Sequence, residues 1–403
     1  MHSDMPSPRH LPTKPMWIRK TIFILRVLLL KLRASVFPHR KDGRSHYDLI
    51  LVKTGELGDY ILFRDLLQSL RRSGTPGMRI LLVGNRLWEQ LSVILDRDLA
   101  DAFLWVERDY ADYAGTDIGL LEQLSRTSCD RLVNASFSRS PISDLISFLV
   151  TARTKYCPDD SSASRSFRAA LRRSIYDVRV GMHGVMHESA RNAALSEYLT
   201  GTDTRRERPA LQIPQAACGG PALPEGPRVV ISVGASDPRR RWPREKVRQL
   251  MGYLRQETDF EMLLVGSETD HRFFQDVMKG MPDRSRITDL SGRTTLPDLL
   301  HVLKGAALVV SNETGIIHMA DALDIPSVCI LGGGHFRRFV PYPRGSGSRI
   351  EAAYEELPCY QCDWNCRHPQ FDGSVYPCIA AVKTEKVISL VGRSCRQLPL
   401  TNT

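Results

Sequence analysis

The sequence predicts an α/β fold built from two doubly wound domains, and three observations support it. Short apolar runs alternate with segments of helical periodicity along most of the chain. Many of these runs end in loops rich in Gly, Asn, Thr or Asp, as strands of a parallel sheet often do. The alternation stops once, in a stretch rich in Pro, Gly and charge at residues 201–227, and then resumes. A chain of 403 residues suits two domains joined by such a linker.

The first series of elements begins at residue 47. Its apolar runs are rich in β-branched residues, and the segments between them repeat apolar residues at helical spacing. Because helices connect the strands, we expect the strands to be parallel. The predicted strands are 47–52, 79–84, 103–106 and 131–134, and the predicted helices are 60–72, 87–95, 116–126 and 143–151.

A second series with the same alternation begins at residue 228. Its predicted strands are 228–233, 262–266, 287–290, 308–310 and 327–331, and its predicted helices are 244–255, 271–281, 296–304 and 316–323. A last helix at 384–391 is a candidate for crossing back to the first domain. Two such domains leave a cleft between two sets of strand ends.

Most of the positive charge lies in the N-terminal tail. The whole chain has a formal net charge of +10, and residues 1–46 contain ten Lys or Arg but only two Asp. The remaining body is therefore close to neutral. The sequence predicts no nucleic-acid partner, since such a partner requires a basic surface on the fold itself.

Residues 16–37 are apolar but carry five cations, which predicts an amphipathic helix rather than a membrane span. A spanning helix needs about 20 mostly uncharged residues, whereas an in-plane helix keeps its cations at anionic headgroups. We therefore predict association with an anionic membrane surface. A signal peptide is one alternative, but Arg26 splits its apolar core and no clear cleavage site follows. A helix packed on the protein itself or on a partner is the other.

The densest group of polar and permissive residues follows the predicted strand 308–310. Its members are Asn312, Glu313, Thr314, Gly315 and His318. At the carboxyl end of a parallel strand, a helix N-terminus directs free N–H groups at anions. The group therefore predicts an anion-binding site, and its alternative is an ordinary helix cap.

Three motifs occur in order along the chain: residues 52–59 (VKTGELGD), 234–243 (GASDPRRRWP) and 311–323 (SNETGIIHMADAL). Together they resemble glycosyltransferase family 9, the bacterial heptosyltransferase family of the GT-B fold. The resemblance covers about residues 47–391. It implies two Rossmann-like domains that face a central cleft and transfer a sugar from a nucleotide-diphosphate donor, with inversion at the anomeric carbon.

The resemblance makes Asp59 the general base that accepts the proton of the acceptor hydroxyl. The alternative for a carboxylate at a helix start is a cap or a partner of the helix dipole. Acceptor-side roles are expected for Lys53, Thr54 and Gly58. Donor-binding roles are expected for Ser236, Arg241, Glu268, Asn312, Glu313, Thr314, Gly315 and His318.

Two positions depart from the family pattern. Glu313 replaces the usual Asp, and Arg241 replaces the usual Lys. A longer carboxylate and a planar guanidinium change the contact geometry, so the resemblance does not fix the donor. Arg239 and Arg240 are alternatives to Arg241 as the group that neutralises the diphosphate.

Other carboxylates bear on the ribose and on metal binding. Glu268 is the candidate for a contact with the ribose, with Asp270 as the alternative. Asp96, Arg97 and Asp98 have the letters of a metal-binding Asp-x-Asp motif, but they follow a predicted helix. We interpret them as surface charge and expect no catalytic metal.

Four cysteines lie within 20 residues, at Cys359, Cys362, Cys366 and Cys378. Four closely spaced thiols are typical of a structural Zn or Fe site with no open position. Family members often carry cysteines in this region. Reduced thiols or a disulfide remain alternatives.

The sequence thus predicts an inverting, metal-independent transferase that moves a heptose-like sugar, with ADP-heptose as the expected donor. The expected acceptor is a lipopolysaccharide core or another lipid-linked glycan, on the cytoplasmic face of the inner membrane. A protein acceptor, as in autotransporter glycosylation, and a non-catalytic nucleotide-sugar-binding assembly protein are the alternatives. The predicted parts are a tail at 1–46, an acceptor domain at 47–215, a nucleotide-sugar domain at 216–383, and a C-terminal helix and tail at 384–403.

Overall fold

The computed structural model describes residues 25–32, 46–107, 118–159, 174–182, 187–202, 209–214 and 219–396. It contains two parallel six-stranded sheets, which confirms the predicted α/β class. The order of strands is the same in both sheets, with the first strand of each series next to the centre.

The first sheet has the order β3-β2-β1-β4-β5-β6. Its strands are β1 (His46–Lys53), β2 (Ile80–Asn85), β3 (Ala102–Val106), β4 (Ser128–Asn134), β5 (Thr151–Pro158) and β6 (Val178–Val180). The helices of this half are α1 (25–32), α2 (Leu57–Ser73), α3 (Glu89–Leu95), α4 (Ile118–Ser125), α5 (Pro141–Leu149) and α6 (Glu188–Thr200).

The second sheet has the order β12-β11-β10-β7-β8-β9. Its strands are β7 (Arg228–Ser232), β8 (Glu261–Leu264), β9 (Ile287–Asp289), β10 (Leu308–Asn312), β11 (Ser327–Ile330) and β12 (Ile350–Ala353). Its helices are α7 (Arg244–Glu257), α8 (Glu268–Lys279), α9 (Leu296–Lys304), α10 (Gly315–Ala322), α11 (Pro377–Ala380) and α12 (Thr384–Arg396).

Each sheet reverses its strand order between two central strands, β1 and β4 in the first sheet and β7 and β10 in the second. At such a reversal the connecting helices leave in opposite directions, which opens a crevice at the carboxyl ends of the strands. All three motifs lie at the carboxyl ends of these central strands. The first begins at the end of β1, the second comes after β7, and the third begins at the end of β10. The fold therefore puts the motif residues of both halves beside ligand-binding crevices.

Five elements were not predicted: β5, β6, α6, β12 and the short helix α11. Helix α6 has few apolar residues on its packed face, so its sequence lacks the apolar periodicity of a buried helix. It packs on α2 through polar groups instead. Asn192 Nδ2 donates to Leu62 O at 3.0 Å, and Ser196 Oγ donates to Ser69 Oγ at 2.8 Å.

Helix α12 does not cross back to the first sheet, so that suggestion is wrong. It packs on α7 and on β10, β11 and β12 of the second sheet. Thr384 Oγ1 at its start donates to Gln249 Oε1 of α7 at 2.8 Å. Its buried residues join the same core as α7, so apolar packing holds it on the second half.

The predicted amphipathic helix at 16–37 is described only at residues 25–32, where α1 forms; the rest of that prediction lies outside the described residues. Val27 is buried against the core between the first sheet, α4 and α5. Lys31 Nζ donates to Leu149 O at the end of α5, at 3.2 Å. Within the part of the chain described, no helix is long and apolar enough to cross a membrane.

The interpretation of Asp96 as surface charge is wrong. Asp96 is fully buried at the end of α3, where Arg64 Nε of α2 donates to its Oδ1 at 2.7 Å. The hydroxyls of Tyr60 and Ser92 donate to its other oxygen. The carboxylate therefore joins α2 to α3 inside the domain, whereas the neighbouring Arg97 and Asp98 are exposed.

Replacing Asp96 with Ala is expected to lower the free energy of unfolding by about 3–5 kcal/mol, because Arg64 would remain charged and unpaired in the core. Urea unfolding followed by circular dichroism measures the change. Asp98→Ala is the matched control and is expected to cost less than about 0.5 kcal/mol. Equal stability of the two variants would show that the Asp96–Arg64 pair does not hold α2 and α3 together.

Candidate functional site

The two halves of the protein meet where the N-termini of α2 and α10 approach each other. Gly58 lies in the first turn of α2, and Gly315 opens α10. A Cβ at Gly58 would lie 2.9 Å from His318 Cδ2, and a Cβ at Gly315 would lie 2.6 Å from Leu57 Cγ. Both positions therefore require glycine for this approach, and both helix N-termini direct unpaired N–H groups into the same cleft.

A cavity of about 460 Å³ lies between the halves at this point. From the first half, strand ends and α2 contribute Lys53, Thr54, Gly55, Glu56, Leu57, Gly58, Asp59, Ser136, Phe137, Ser138 and Ser140. From the second half come Ser236, Arg240, Glu313, Thr314, Gly315, His318, His335, Arg338, Phe339 and Asp363. The structure thus gathers Asp59, all of the predicted acceptor-side residues and five of the predicted donor residues around one space.

Asp59 lines the cavity and also takes part in capping α2. Its Oδ2 accepts a hydrogen bond from the backbone N–H of Glu56 at 3.2 Å, as the third residue of a capping box. Its Oδ1 lies 3.8 Å from Lys53 Nζ, and the side chain is 21% exposed. The two interpretations of this carboxylate are therefore compatible, since the cap fixes its orientation while one oxygen still faces the cavity.

Lys53 is 1% exposed, which is unusual for a lysine. Its ammonium donates to Ala135 O at 3.2 Å and to Glu188 Oε1 at 3.4 Å. The rings of Phe63 and Phe137 lie 5.9 and 5.8 Å from Nζ. Lys53 is therefore a buried cation directly behind Asp59 rather than a long arm that extends to an acceptor.

A second cavity of about 760 Å³ continues along the crevice of the second sheet. It shares Leu57, Ser236, Thr314 and Gly315 with the first. A molecule that occupies both spaces must therefore pass the N-terminus of α10. An elongated ligand with an anionic centre suits this shape, because the helix N-terminus lies at the junction.

Arg241 lines the second cavity, where its Nη2 lies 2.9 Å from Asp270 Oδ1. Asp270 also lines this cavity and accepts hydrogen bonds from the backbone N–H and hydroxyl of Ser267. Glu268 is exposed at the start of α8 and is not among the lining residues. Of the two carboxylates considered for the ribose, the structure brings Asp270 to the cavity.

Asn312 is buried and ties two loops together. Its Nδ2 donates to Val233 O at 2.9 Å and to Arg240 O at 3.1 Å. It lines neither cavity, so the structure gives it no direct place at a ligand. Its bonds instead hold the loop after β7 against the end of β10, which positions Arg240.

Glu313 is a buried carboxylate at the cavity wall. Its Oε2 lies 3.7 Å from Arg240 Nη2, and among the described residues neither of its oxygens has a hydrogen-bond partner. Burial raises the pKa of this carboxyl to about 7, although Arg240 and Arg338 act in the opposite direction. Glu313 is therefore poised to change charge near neutral pH.

His318 is a neutral group at the contact between the halves. Its Nδ1 lies 3.1 Å from the Tyr342 hydroxyl, and the residue is 2% exposed. Burial, with a smaller effect of His187, lowers the pKa of His318 to about 3. The imidazole is thus uncharged at neutral pH and acts through hydrogen bonding and shape.

Several cavity residues were not singled out from the sequence. Ser136, Phe137, Ser138 and Ser140 follow β4, and His335, Arg338 and Phe339 follow β11. Since ligands bind at the carboxyl ends of parallel strands, both groups could have been found by extending the search to every predicted strand end.

Arg240, weighed only as an alternative to Arg241, is the arginine of this loop that lines the first cavity. Its guanidinium lies 4.4 Å from the centroid of the Trp364 ring and donates to Glu313 O at 3.0 Å. Arg239 points elsewhere, since its guanidinium forms three hydrogen bonds with the carboxylate of Asp237. The three arginines therefore have different surroundings: Arg239 binds Asp237, Arg240 lines the first cavity, and Arg241 lines the second.

The four-cysteine segment gives no support to a metal site. Within the described residues, no group of three or more His, Cys, Asp or Glu side chains is arranged to hold a metal ion, and all four thiols are free. Burial raises the pKa of the Cys378 thiol.

The segment instead packs on the glycines that follow β11. Trp364 and Tyr360 occupy the space that side chains at Gly332, Gly333 and Gly334 would fill. Because the Arg240 guanidinium lies over the Trp364 ring, this packing also helps to position Arg240.

A family model described as glycosyltransferase family 9 (heptosyltransferase) matches residues 120–364, more than half of the chain. Among curated proteins, lipopolysaccharide heptosyltransferase 2 of Salmonella typhimurium is 28% identical over 111 residues, which are 27% of this chain and 32% of that protein. Lipopolysaccharide heptosyltransferase 2 of Escherichia coli is 27% identical over 111 residues, with the same shares of the two chains. The match thus spans about a third of the length of these relatives.

Solved structures resemble a much larger part of the chain. E. coli ADP-heptose lps heptosyltransferase II covers 87% of this chain and 99% of its own, with a TM-score of 0.64 and 18% identity. The family 9 glycosyl transferase from Veillonella parvula covers 87% and 97%, with a TM-score of 0.65 and 17% identity. These likenesses confirm the predicted GT-B fold. The family model, which matches more than half of the chain, shows that the chain belongs to glycosyltransferase family 9, the heptosyltransferase family.

Proposed function

We propose that this protein transfers a heptose-like sugar from a nucleotide-diphosphate donor to a cell-envelope glycan, with inversion and without a metal ion. The proposal rests mainly on the first cavity. Asp59 lines this cavity together with the N-terminus of α10 and two arginines, Arg240 and Arg338. Sugar transfer needs both a base for the acceptor hydroxyl and positive charge for the leaving diphosphate. Both are present here, on opposite walls.

Asp59 is the proposed base. The capping bond from Glu56 holds one carboxylate oxygen, while the other, next to Lys53, faces the cavity. A hydroxyl bound in the cavity next to Asp59 transfers its proton to that oxygen as it attacks the anomeric carbon. Attack from the face opposite the diphosphate inverts the configuration at that carbon.

The second half is the proposed donor side. The diphosphate lies at the junction of the two cavities, against the backbone N–H groups of Thr314 and Gly315 and near Arg240. The nucleoside extends into the second cavity, beside Arg241 and Asp270. The fixed cations and the helix dipole supply the electrostatic stabilisation that a metal ion supplies in other transferases.

ADP-heptose is the proposed donor and lipopolysaccharide core the proposed acceptor, since the curated relatives are lipopolysaccharide heptosyltransferases. Glu313 bears on donor choice, because its carboxylate lines the cavity near the place of the sugar. The acceptor would enter from the first half, beside Thr54 and Ser140, whose hydroxyls lie 3.3 Å apart.

We also propose that α1 binds an anionic membrane surface on its outer face. Leu25, Leu28, Leu29 and Leu32 form one stripe and are each more than half exposed, while Val27 on the opposite face is buried. The surrounding tail is strongly basic, which complements anionic headgroups. Helix α5 reaches from the contact with α1 to Ser140 at the cavity, and its nine residues span roughly 13 Å. A lipid-linked acceptor would thus lie close to its site.

Asp59→Asn is expected to reduce transfer of heptose from ADP-heptose to heptose-deficient lipopolysaccharide by at least about a thousandfold, because the amide accepts no proton. Nucleotide affinity, measured by calorimetry, is expected to change less than about threefold, since Asp59 lies on the acceptor wall. Asp98→Asn, an exposed change in the same half, is the control for stability. Retained transfer in Asp59→Asn would overturn the assignment of the base.

Binding of a nucleotide sugar is expected to weaken several-fold as the pH rises through about 7, because Glu313 then gains a negative charge close to the diphosphate. The diphosphate of a nucleotide sugar does not itself titrate in this range. In Glu313→Gln, which stays neutral, the affinity is expected to be constant between pH 6 and 8. Calorimetry at several pH values measures both proteins, and an identical pH dependence would exclude Glu313 as its source.

Changing Leu25, Leu28, Leu29 and Leu32 together to Gln is expected to abolish sedimentation with vesicles that contain anionic phospholipid. Each leucine that leaves water contributes up to about 2 kcal/mol to binding. Leu87→Gln is the control, because Leu87 is also about half exposed in the first half but lies outside the stripe. If the fourfold variant sediments like the unchanged protein, the stripe does not face the membrane.

A further inference from the structure

Glu188 is a carboxylate in the core of the contact between the two halves. It is the first residue of α6, and its side chain is fully buried. Its Oε1 accepts a hydrogen bond from Lys53 Nζ, and its Oε2 accepts one from Arg338 Nε, both at 3.4 Å. Its backbone N–H donates to Arg338 O at 2.8 Å. One residue of the first half thus holds both the side chain and the main chain of Arg338 in the second.

The desolvation of a buried carboxylate is a large cost that a packed apolar side chain would avoid. Three cations offset it, since Arg191 Nη1 also lies 4.0 Å from Oε2. Stability alone therefore does not account for a charged group at this position. Its two long-range partners, Lys53 and Arg338, both line the cavity.

Lys53 is shared between two carboxylates. Its ammonium lies 3.4 Å from Glu188 Oε1 and 3.8 Å from Asp59 Oδ1. A change in the charge of Glu188 therefore changes how strongly Lys53 interacts with Asp59. The interaction is little screened, because both Lys53 and Glu188 are excluded from water.

We propose that Glu188 is a positioning residue that sets the interaction between Lys53 and Asp59 and links it to the contact with Arg338. When Arg338 is in place, the Glu188 carboxylate interacts with both Arg338 and Lys53. When the contact with Arg338 is absent, Glu188 draws Lys53 away from Asp59. The contact between the two halves thus sets how strongly Lys53 interacts with Asp59. This inference rests on the proposed role of Asp59 as the base.

The proposal predicts opposite shifts for two charge-removing variants. In Glu188→Gln, Asp59 is the remaining anionic partner of Lys53, so the two side chains interact more strongly. The acid limb of the kcat/KM profile is then expected to move down by about half a pH unit or more, and kcat to fall several-fold. In Arg338→Gln, Glu188 interacts more strongly with Lys53, which weakens the interaction between Lys53 and Asp59. The acid limb of the kcat/KM profile is therefore expected to move to higher pH.

Among the described residues, the charged and titratable groups that lie near Glu188 and Lys53 are Asp59 from α2, His187 at the N-cap of α6, Arg191 within α6, and Arg338 from the loop after β11, which in turn interacts with Glu313. Neither variant changes any other member of this group. Glu197→Gln is the matched control, since Glu197 is an exposed carboxylate on the same helix. Its pH profile is expected to equal that of the unchanged protein.

A second measurement does not depend on activity. Hydrogen exchange in peptides that contain residues 335–342 is expected to be faster in Glu188→Gln than in Glu197→Gln, because the carboxylate that holds Arg338 is lost. Arg338→Gln provides the same test from the opposite partner if Glu188→Gln does not fold, since Glu188 then keeps Lys53 and Arg191 as counterions.

Opposite shifts of the acid limb, with faster exchange, are the expected result. Unshifted profiles in both variants of an active protein would overturn the link between Glu188 and Asp59. If the unchanged protein transfers no sugar, the proposed function fails instead. In that case unchanged exchange at 335–342 would also overturn the link between Glu188 and Arg338.

Discussion

The close approach of two helix N-termini is the constraint on which the rest of the cleft depends. The helices α2 and α10 approach each other because Gly58 and Gly315 carry no Cβ, and a methyl group at either position would collide with the opposite half. Each N-terminus carries about half a positive charge, so their approach concentrates positive potential in the cleft. The same approach sets the distance between the Asp59 wall and the donor wall.

The cleft contains both cations and carboxylates, and several of these charged side chains are buried away from water. Lys53 and Glu188 are almost completely buried, and Glu313 has lost most of its hydration. Electrostatic interactions among such groups are stronger than on the surface, so a single added or removed charge affects its neighbours. A diphosphate that enters the cleft is one such charge.

The motifs could be found from the sequence because strand ends have a strong local pattern: an apolar run, then Gly and polar residues, then a helix. That pattern correctly brought Asp59, Thr314 and His318 to one cleft. Contacts between distant segments have no such pattern. The buried face of α6 is polar, so neither the helix nor Glu188 was predicted. Asp96 looked like surface charge because only the fold brings Arg64 to it. The four cysteines had metal-like spacing, whereas the packing of Trp364 and Tyr360 explains the position of that segment.

Calorimetric titration with ADP, GDP, UDP and CMP, without added divalent metal, tests the central claim most directly. That claim is that the second half holds a nucleotide diphosphate at the N-terminus of α10 by fixed charge alone. The account predicts selective binding of ADP, with an affinity that is unchanged when magnesium is added. Absence of binding by every nucleotide, or binding that appears only with magnesium, would contradict it.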